Sequence, residues 1–143
     1  MSERTKAEAR RRAALGRAGE EAAAAFLEGK GATVVARNYH TPYGELDVVA
    51  RDGATLVFAE VKAAGAGAAA DPRLNFTPRK VERVFNAALY YLQKEQPGAE
   101  PDFRFDFLVV ERRGDCWAVE HHAGVSLDQY LPSRPEAKED DEP

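Results

Sequence analysis

The stretch Gly44 to Lys62, GELDVVARDGATLVFAEVK, constrains the fold of this chain more than any other. Two runs rich in Val, Leu, Phe and Ala flank Asp52-Gly53, the pattern of a β-hairpin. With Asp52-Gly53 as the turn, Ala50 falls opposite Thr55, Asp47 opposite Phe58 and Glu45 opposite Glu60. A four-residue loop over 51–54 gives the same register. Side chains alternate between the two faces of a strand. Glu45, Asp47, Phe58, Glu60 and Lys62 therefore share one face, with Asp47 the diagonal neighbour of Glu60 at about 7–8 Å. A three-residue loop would reverse this parity and separate the acids.

Two carboxylates on one face repel unless something positive stands between them. Hard oxygen donors of this kind suit Mg²⁺ or Mn²⁺. Lys62 adds a point charge on the same side, able to orient a water or to offset charge developing on a phosphate. With a metal that polarises a phosphoryl oxygen and acidifies a water, this is the chemistry of phosphodiester hydrolysis. The plainer alternative is a solvated hairpin face carrying cross-strand ion pairs.

Two features outside the hairpin bear on that choice. A helix over Lys6 to Glu28, rich in Ala and Arg, ends at Gly29 and Gly31. On it Glu20 aligns with Ala23, Ala24 and Leu27, close to the buried side, whereas Glu21 falls on the wet face. A second helix opens at Thr77-Pro78 with Thr as N-cap and closes at Pro97-Gly98. Val81, Val84, Phe85, Ala88, Leu89 and Leu92 form its apolar stripe. Arg79 and Lys80 sit in its first turn, where the macrodipole disfavours cations and a bound phosphate would be welcome.

The remaining elements are short. Thr33 to Ala36 reads as a strand, and Asn38 to Gly44 as a turn region. Ala63 to Pro72 reads as a loop of small residues, Phe103 to Val110 and Cys116 to Glu120 as strands, and Leu127, Tyr130 and Leu131 as part of a terminal helix. The order α-β-β-β-α-β-β, with a strand–helix–strand crossover, predicts a mixed α+β (α/β) domain on a mixed sheet. Phe103, Phe105 and Phe107 read as packing, Arg104 and Asp106 as the opposite face of their strand, Cys116 as a buried inert thiol, and His121-His122 as a surface pair.

Composition sets outer bounds. The chain has 143 residues, enough for one domain with a core, and a net charge of −4, which does not advertise nucleic-acid binding. The charge is uneven. Arg4, Lys6, Arg10, Arg11, Arg12 and Arg17 face only Glu3 and Glu8, while the tail beyond Leu131 is acidic. The expected organisation is a basic helical extension over 1–15, one domain over 16–131 and a disordered acidic tail over 132–143. The sequence has no apolar run of membrane-spanning length, no signal-peptide core and a single cysteine, so a cytoplasmic protein is expected.

Taken together, Gly16-x-x-Gly19-Glu20, Asn38, Gly44-Glu45-Leu46-Asp47, Glu60-Val61-Lys62, Lys80 and Arg104-Phe105-Asp106 resemble the YraN family. These are uncharacterised bacterial proteins similar to archaeal Holliday junction resolvases, within the PD-(D/E)xK, restriction-endonuclease-like superfamily. The likeness runs from Gly16 to Tyr130. It implies an αβββαβ core and an endodeoxyribonuclease dependent on Mg²⁺ or Mn²⁺, with branched DNA among its substrates. Asp47 and Glu60 match the metal-binding acids, Lys62 the motif lysine and Glu20 the helix-one glutamate. Glu45 matches the GE-x-D signature, and Lys80 an accessory cation near substrate. The symmetric dimers of the resolvases imply a homodimer. Members commonly carry basic or hydroxyl residues after the lysine. Ala63 and Ala64 stand there instead, which predicts weakened phosphate contacts. A binding module that keeps the fold without the chemistry therefore stays open beside the nuclease, as does a structural domain whose hairpin charges serve solubility.

Overall fold

The computed structural model describes residues 2–64 and 77–126. Helix α1 (Glu3–Gly29) is followed by strands β1 (Thr33–Thr41), β2 (Gly44–Asp52) and β3 (Thr55–Ala64), helix α2 (Pro78–Glu95), and strands β4 (Phe103–Arg113) and β5 (Cys116–His122). The strands form one mixed sheet in the order β1-β2-β3-β4-β5. Among the described strands only β3 and β4 are parallel, and the chain between them contains α2. The fold is the mixed α+β arrangement expected from the element order. The segment 65–72 of the expected loop, the terminal helix around Leu127, Tyr130 and Leu131, and the tail lie outside the described residues.

Each helix covers one face of the sheet. Ala23, Ala24 and Leu27 of α1 pack on Val48, Ala50, Val57, Ala59, Leu108 and Val110. Val84, Ala87, Ala88 and Tyr91 of α2 pack on Leu46, Val49, Leu56 and Phe58. Leu56 to Ala59 is buried on both faces, as the unbroken apolar run of a central strand requires. The α2 stripe is only partly covered: Phe85 and Leu89 stay about two-fifths exposed among the described residues.

Several boundaries differ from expectation for physical reasons. β1 continues to Thr41, so the turn shrinks to Pro42-Tyr43. There the Thr41 hydroxyl donates to the Gly44 carbonyl and accepts from the Tyr43 N–H, side-chain bonds that propensity does not count. β3 continues through Ala63 and Ala64, because those residues pair with Val110 and Glu111 of β4. Cys116 is exposed rather than buried, since it opens the edge strand β5.

Arg104 and Asp106 pair with each other and with the far end of the chain. Asp106 is 2% exposed. It accepts from Arg104 Nε at 3.0 Å, the Gly124 N–H at 3.0 Å and His121 Nε2 at 2.7 Å. Arg104 also reaches Asp52 at 3.0 Å, tying β4 to the β2–β3 hairpin. His121 is therefore a nearly buried partner of a carboxylate, not one half of a surface pair. Removing the carboxylate while its donors stay in place leaves them without their buried acceptor, so Asp106→Ala should destabilise the domain by about 3 kcal/mol. The urea midpoint, at an unchanged slope, measures that loss.

Candidate metal and catalytic site

The hairpin turn is Gly53-Ala54, one residue later than expected, with Asp52 paired to Thr55 and Gly53 at φ +61°. Both loops hold two residues, so the parity survives and the register moves by two. The β2–β3 ladder ends at Val48 and Ala59, and the next step places Asp47 directly opposite Glu60 rather than on its diagonal. Beyond the ladder a side chain takes over: Asp47 Oδ2 accepts from the Val61 N–H at 2.9 Å.

Asp47 and Glu60 meet as neighbouring carboxyls. Burial pushes both above the ordinary carboxylate range, Glu60 furthest, and the charge of Asp47 raises Glu60 again. Hydrogen bonding to Asp47 raises Glu60 further. Glu60 Oε1 is cut off from solvent and has no hydrogen-bond partner among the described residues. An acceptor oxygen orphaned in this way costs free energy unless a donor or a cation reaches it.

Alternation in β2 fails at Asp47. Val48 and Ala50 face α1, Val49 faces α2, yet Leu46 also faces α2. Across the sheet, Asn38 lies between the paired positions Arg37 and Tyr39 and takes φ +50°, a left-handed conformation that Asn tolerates. The two irregularities face one another. With its amide nitrogen turned toward the acids, Asn38 donates to Glu20 Oε2 at 2.8 Å and to Glu45 Oε1 at 3.1 Å. Glu45 is thus drawn to Glu20 and does not share the face of Glu60, as unbroken alternation would require. Glu20 is raised by burial first, then by the charges of Asp47 and Glu45.

Glu20 arrives through a close helix–sheet approach. A methyl on Gly19 would stand 2.6 Å from Ala63 Cβ and 2.9 Å from a Val110 methyl. Ala63 is therefore a packing position under α1. Lys62 is exposed, two residues beyond Glu60 on the same strand face.

Arg79 and Lys80 are exposed and line a groove on α2 with Tyr43, Thr77, Glu82, Arg83 and Asn86. The α2 cation that acts on the acids is Arg83, whose charge lowers both Asp47 and Glu60. Sequence reasoning passed over it, although Arg79 and Arg83 are four apart and share a helix face.

Among the described residues, no three Asp, Glu, His or Cys side chains stand together as a ready coordination shell. Mg²⁺ does not need one, since it is commonly held by one or two carboxylates while its other positions keep water or take substrate phosphate. The Asp47–Glu60 pair, with its orphaned Glu60 oxygen, fits that description.

The pattern of "Uncharacterised protein family UPF0102" matches residues 19–110, from the glycine on Ala63 to the end of the buried run of β4. The chain belongs to UPF0102, the YraN family. It is 46% identical over 99 residues to a UPF0102 protein of Desulfosudis oleivorans, covering 68% of this chain and 79% of that one. It is 40% identical over 106 residues to one from Desulforapulum autotrophicum, covering 74% and 87%. A third, from Syntrophotalea carbinolica, is 39% identical over 115 residues, covering 80% and 92%. No helix among the described residues is long and apolar enough to cross a membrane.

A carboxyl whose pKa is raised on folding contributes stability below its unfolded pKa and loses it as pH climbs through the folded value. Asp47 and Glu60 are both raised, so the urea midpoint of this UPF0102 protein should fall as pH rises above the ordinary carboxylate range. Glu60→Gln, which donates to Asp47 without titrating, should flatten that fall and raise the midpoint at neutral pH.

Proposed function

We propose that this UPF0102 protein is a metal-dependent nuclease that hydrolyses DNA phosphodiester bonds, with branched DNA among its substrates. The observation that carries the reading is the half-buried Asp47–Glu60 pair with its orphaned oxygen, set two residues from Lys62. A fold stabilised for its own sake would not bring two acids together at a strand divergence and leave one oxygen unmet.

Asp47 and Glu60 would hold Mg²⁺ or Mn²⁺, which when bound supplies Lewis-acid polarisation of the phosphate and a more acidic water. The Val61 N–H fixes one Asp47 oxygen and so orients the other. Lys62 orients the attacking water and offsets charge on the phosphate as the water oxygen joins phosphorus and the ester P–O bond breaks. One water proton is lost, and the departing oxygen gains one. Glu20, tied to Glu45 through Asn38, adds negative charge beside Asp47 and raises the affinity of the site for a cation. Arg79 and Lys80 hold neighbouring phosphates of the strand.

Cleavage of single-stranded, duplex and four-way DNA should require Mg²⁺ or Mn²⁺. Lys62→Ala should lower the rate by about 10²–10³-fold, the scale for losing one group that stabilises transition-state charge, and Glu60→Ala should lower it at least as far. Equal cleavage by wild type and both variants would mean that the activity belongs to a contaminant. Calorimetric titration showing no Mg²⁺ or Mn²⁺ binding, with or without DNA, would leave a non-catalytic binding module instead.

A further inference from the structure

The glycine that opens the GE-x-D signature has a specific neighbour. Gly44 takes φ +138°, which side-chain-bearing residues rarely adopt. A methyl there would stand 2.8 Å from Cδ, 3.0 Å from Cγ and 3.2 Å from Nε of Arg83. The stem of Arg83 therefore lies directly on the bare backbone of Gly44, where β2 begins. Arg83 also belongs to the groove formed by Tyr43, Thr77, Arg79, Lys80, Glu82 and Asn86, where three cations stand against one acid. It is the residue common to that cationic groove and to the strand end that carries Asp47.

We propose that Arg83 is a substrate-phosphate ligand of this site and that Gly44 is kept bare to seat it. The inference rests on the nuclease reading and extends it. A nucleic-acid strand would run along the α2 groove and enter the acid pair across Gly44, with Arg83 on the phosphate next to the one attacked. A planar guanidinium suits that place, since it grips phosphate oxygens through two parallel N–H bonds. Lying over a strand backbone removes much of the freedom that a long side chain would otherwise lose on binding. Tyr43, 52% exposed on the same groove, offers a ring face to an unpaired base. Ala63, the position directly after Lys62, packs under α1, so a cation at that position would not reach the acids, whereas Arg83 of α2 does.

The test uses the full chain with Mg²⁺ and labelled single-stranded and duplex oligonucleotides. Anisotropy is read before product accumulates, and cleavage is followed in the same samples. Arg83→Ala should weaken binding and lower the slope of log K against log salt by about 0.9 on duplex or about 0.7 on a single strand, one phosphate contact. Arg83→Lys should restore the slope but not the full affinity. Gly44→Ala should reproduce the loss of slope with Arg83 still present, and adding it to Arg83→Ala should cost no further binding. An unchanged slope in Arg83→Ala, or losses that add in the double variant, would overturn the inference. If Gly44→Ala fails to fold, as a thermal melt would reveal, the Arg83 slope alone decides. Wild-type cleavage with a silent Arg83 removes only this role, whereas a wild type that neither binds nor cleaves DNA removes the nuclease reading and the role together.

Discussion

The contact between Gly19 and Ala63 holds the site together. It is a backbone-to-methyl approach, and no larger residue fits on the helix side. Because α1 lies this close to β3, the next residue, Glu20, is delivered to the region where β2 and β3 part. The same approach explains Ala63 without reference to substrate. A long basic side chain there would push α1 off the sheet, and overpacking of that kind costs about 1–3 kcal/mol before function is considered. At Ala63, the small residue is a condition for seating α1 on the sheet.

Once the acids are brought in, the structure has to tolerate them. Asp47 meets Glu60 and feels the charge of Glu45, Glu20 feels the charges of Asp47 and Glu45, and Glu20, Asp47 and Glu60 are all raised by burial. Three local devices limit the repulsion. The Val61 N–H solvates Asp47, Asn38 spans Glu20 and Glu45 from a left-handed backbone position, and the charge of Arg83 lowers both Asp47 and Glu60. None satisfies Glu60 Oε1. Local strain and an unmet acceptor in the same few residues are expected where function rather than stability set the sequence.

The hairpin shows how much was legible. Its faces depend on loop parity alone, so misplacing the turn by one residue shifted the register by two and still brought Asp47 to Glu60. Element order, the Thr77 cap and the position of Glu20 beside the apolar side of α1 also follow from local pattern. Glu45 did not, because strict alternation cannot anticipate a break at Asp47 that is matched by a positive φ at Asn38 on the neighbouring strand. His121 was misread for a related reason. Its partner Asp106 is fifteen residues away and meets it only once β4 and β5 pair. Such cross-strand bonds carry no short-range signal.

Arg83 carries no local signal of its own. Cations in the first turn of α2 oppose the helix dipole, an effect that fades within a turn. A cation one turn later raises no such objection. What marks Arg83 is a relation between two segments: a glycine in a conformation closed to other residues, and a side chain lying where its β-carbon would be. A glycine can be fixed by its φ, by its neighbour or by both, and only substitutions on each side separate the two. At Gly44 both apply. The backbone could change φ at some cost in strain, but a methyl would still stand against the stem of Arg83. The signature glycine therefore belongs to the electrostatics of the acid pair as well as to the turn before it.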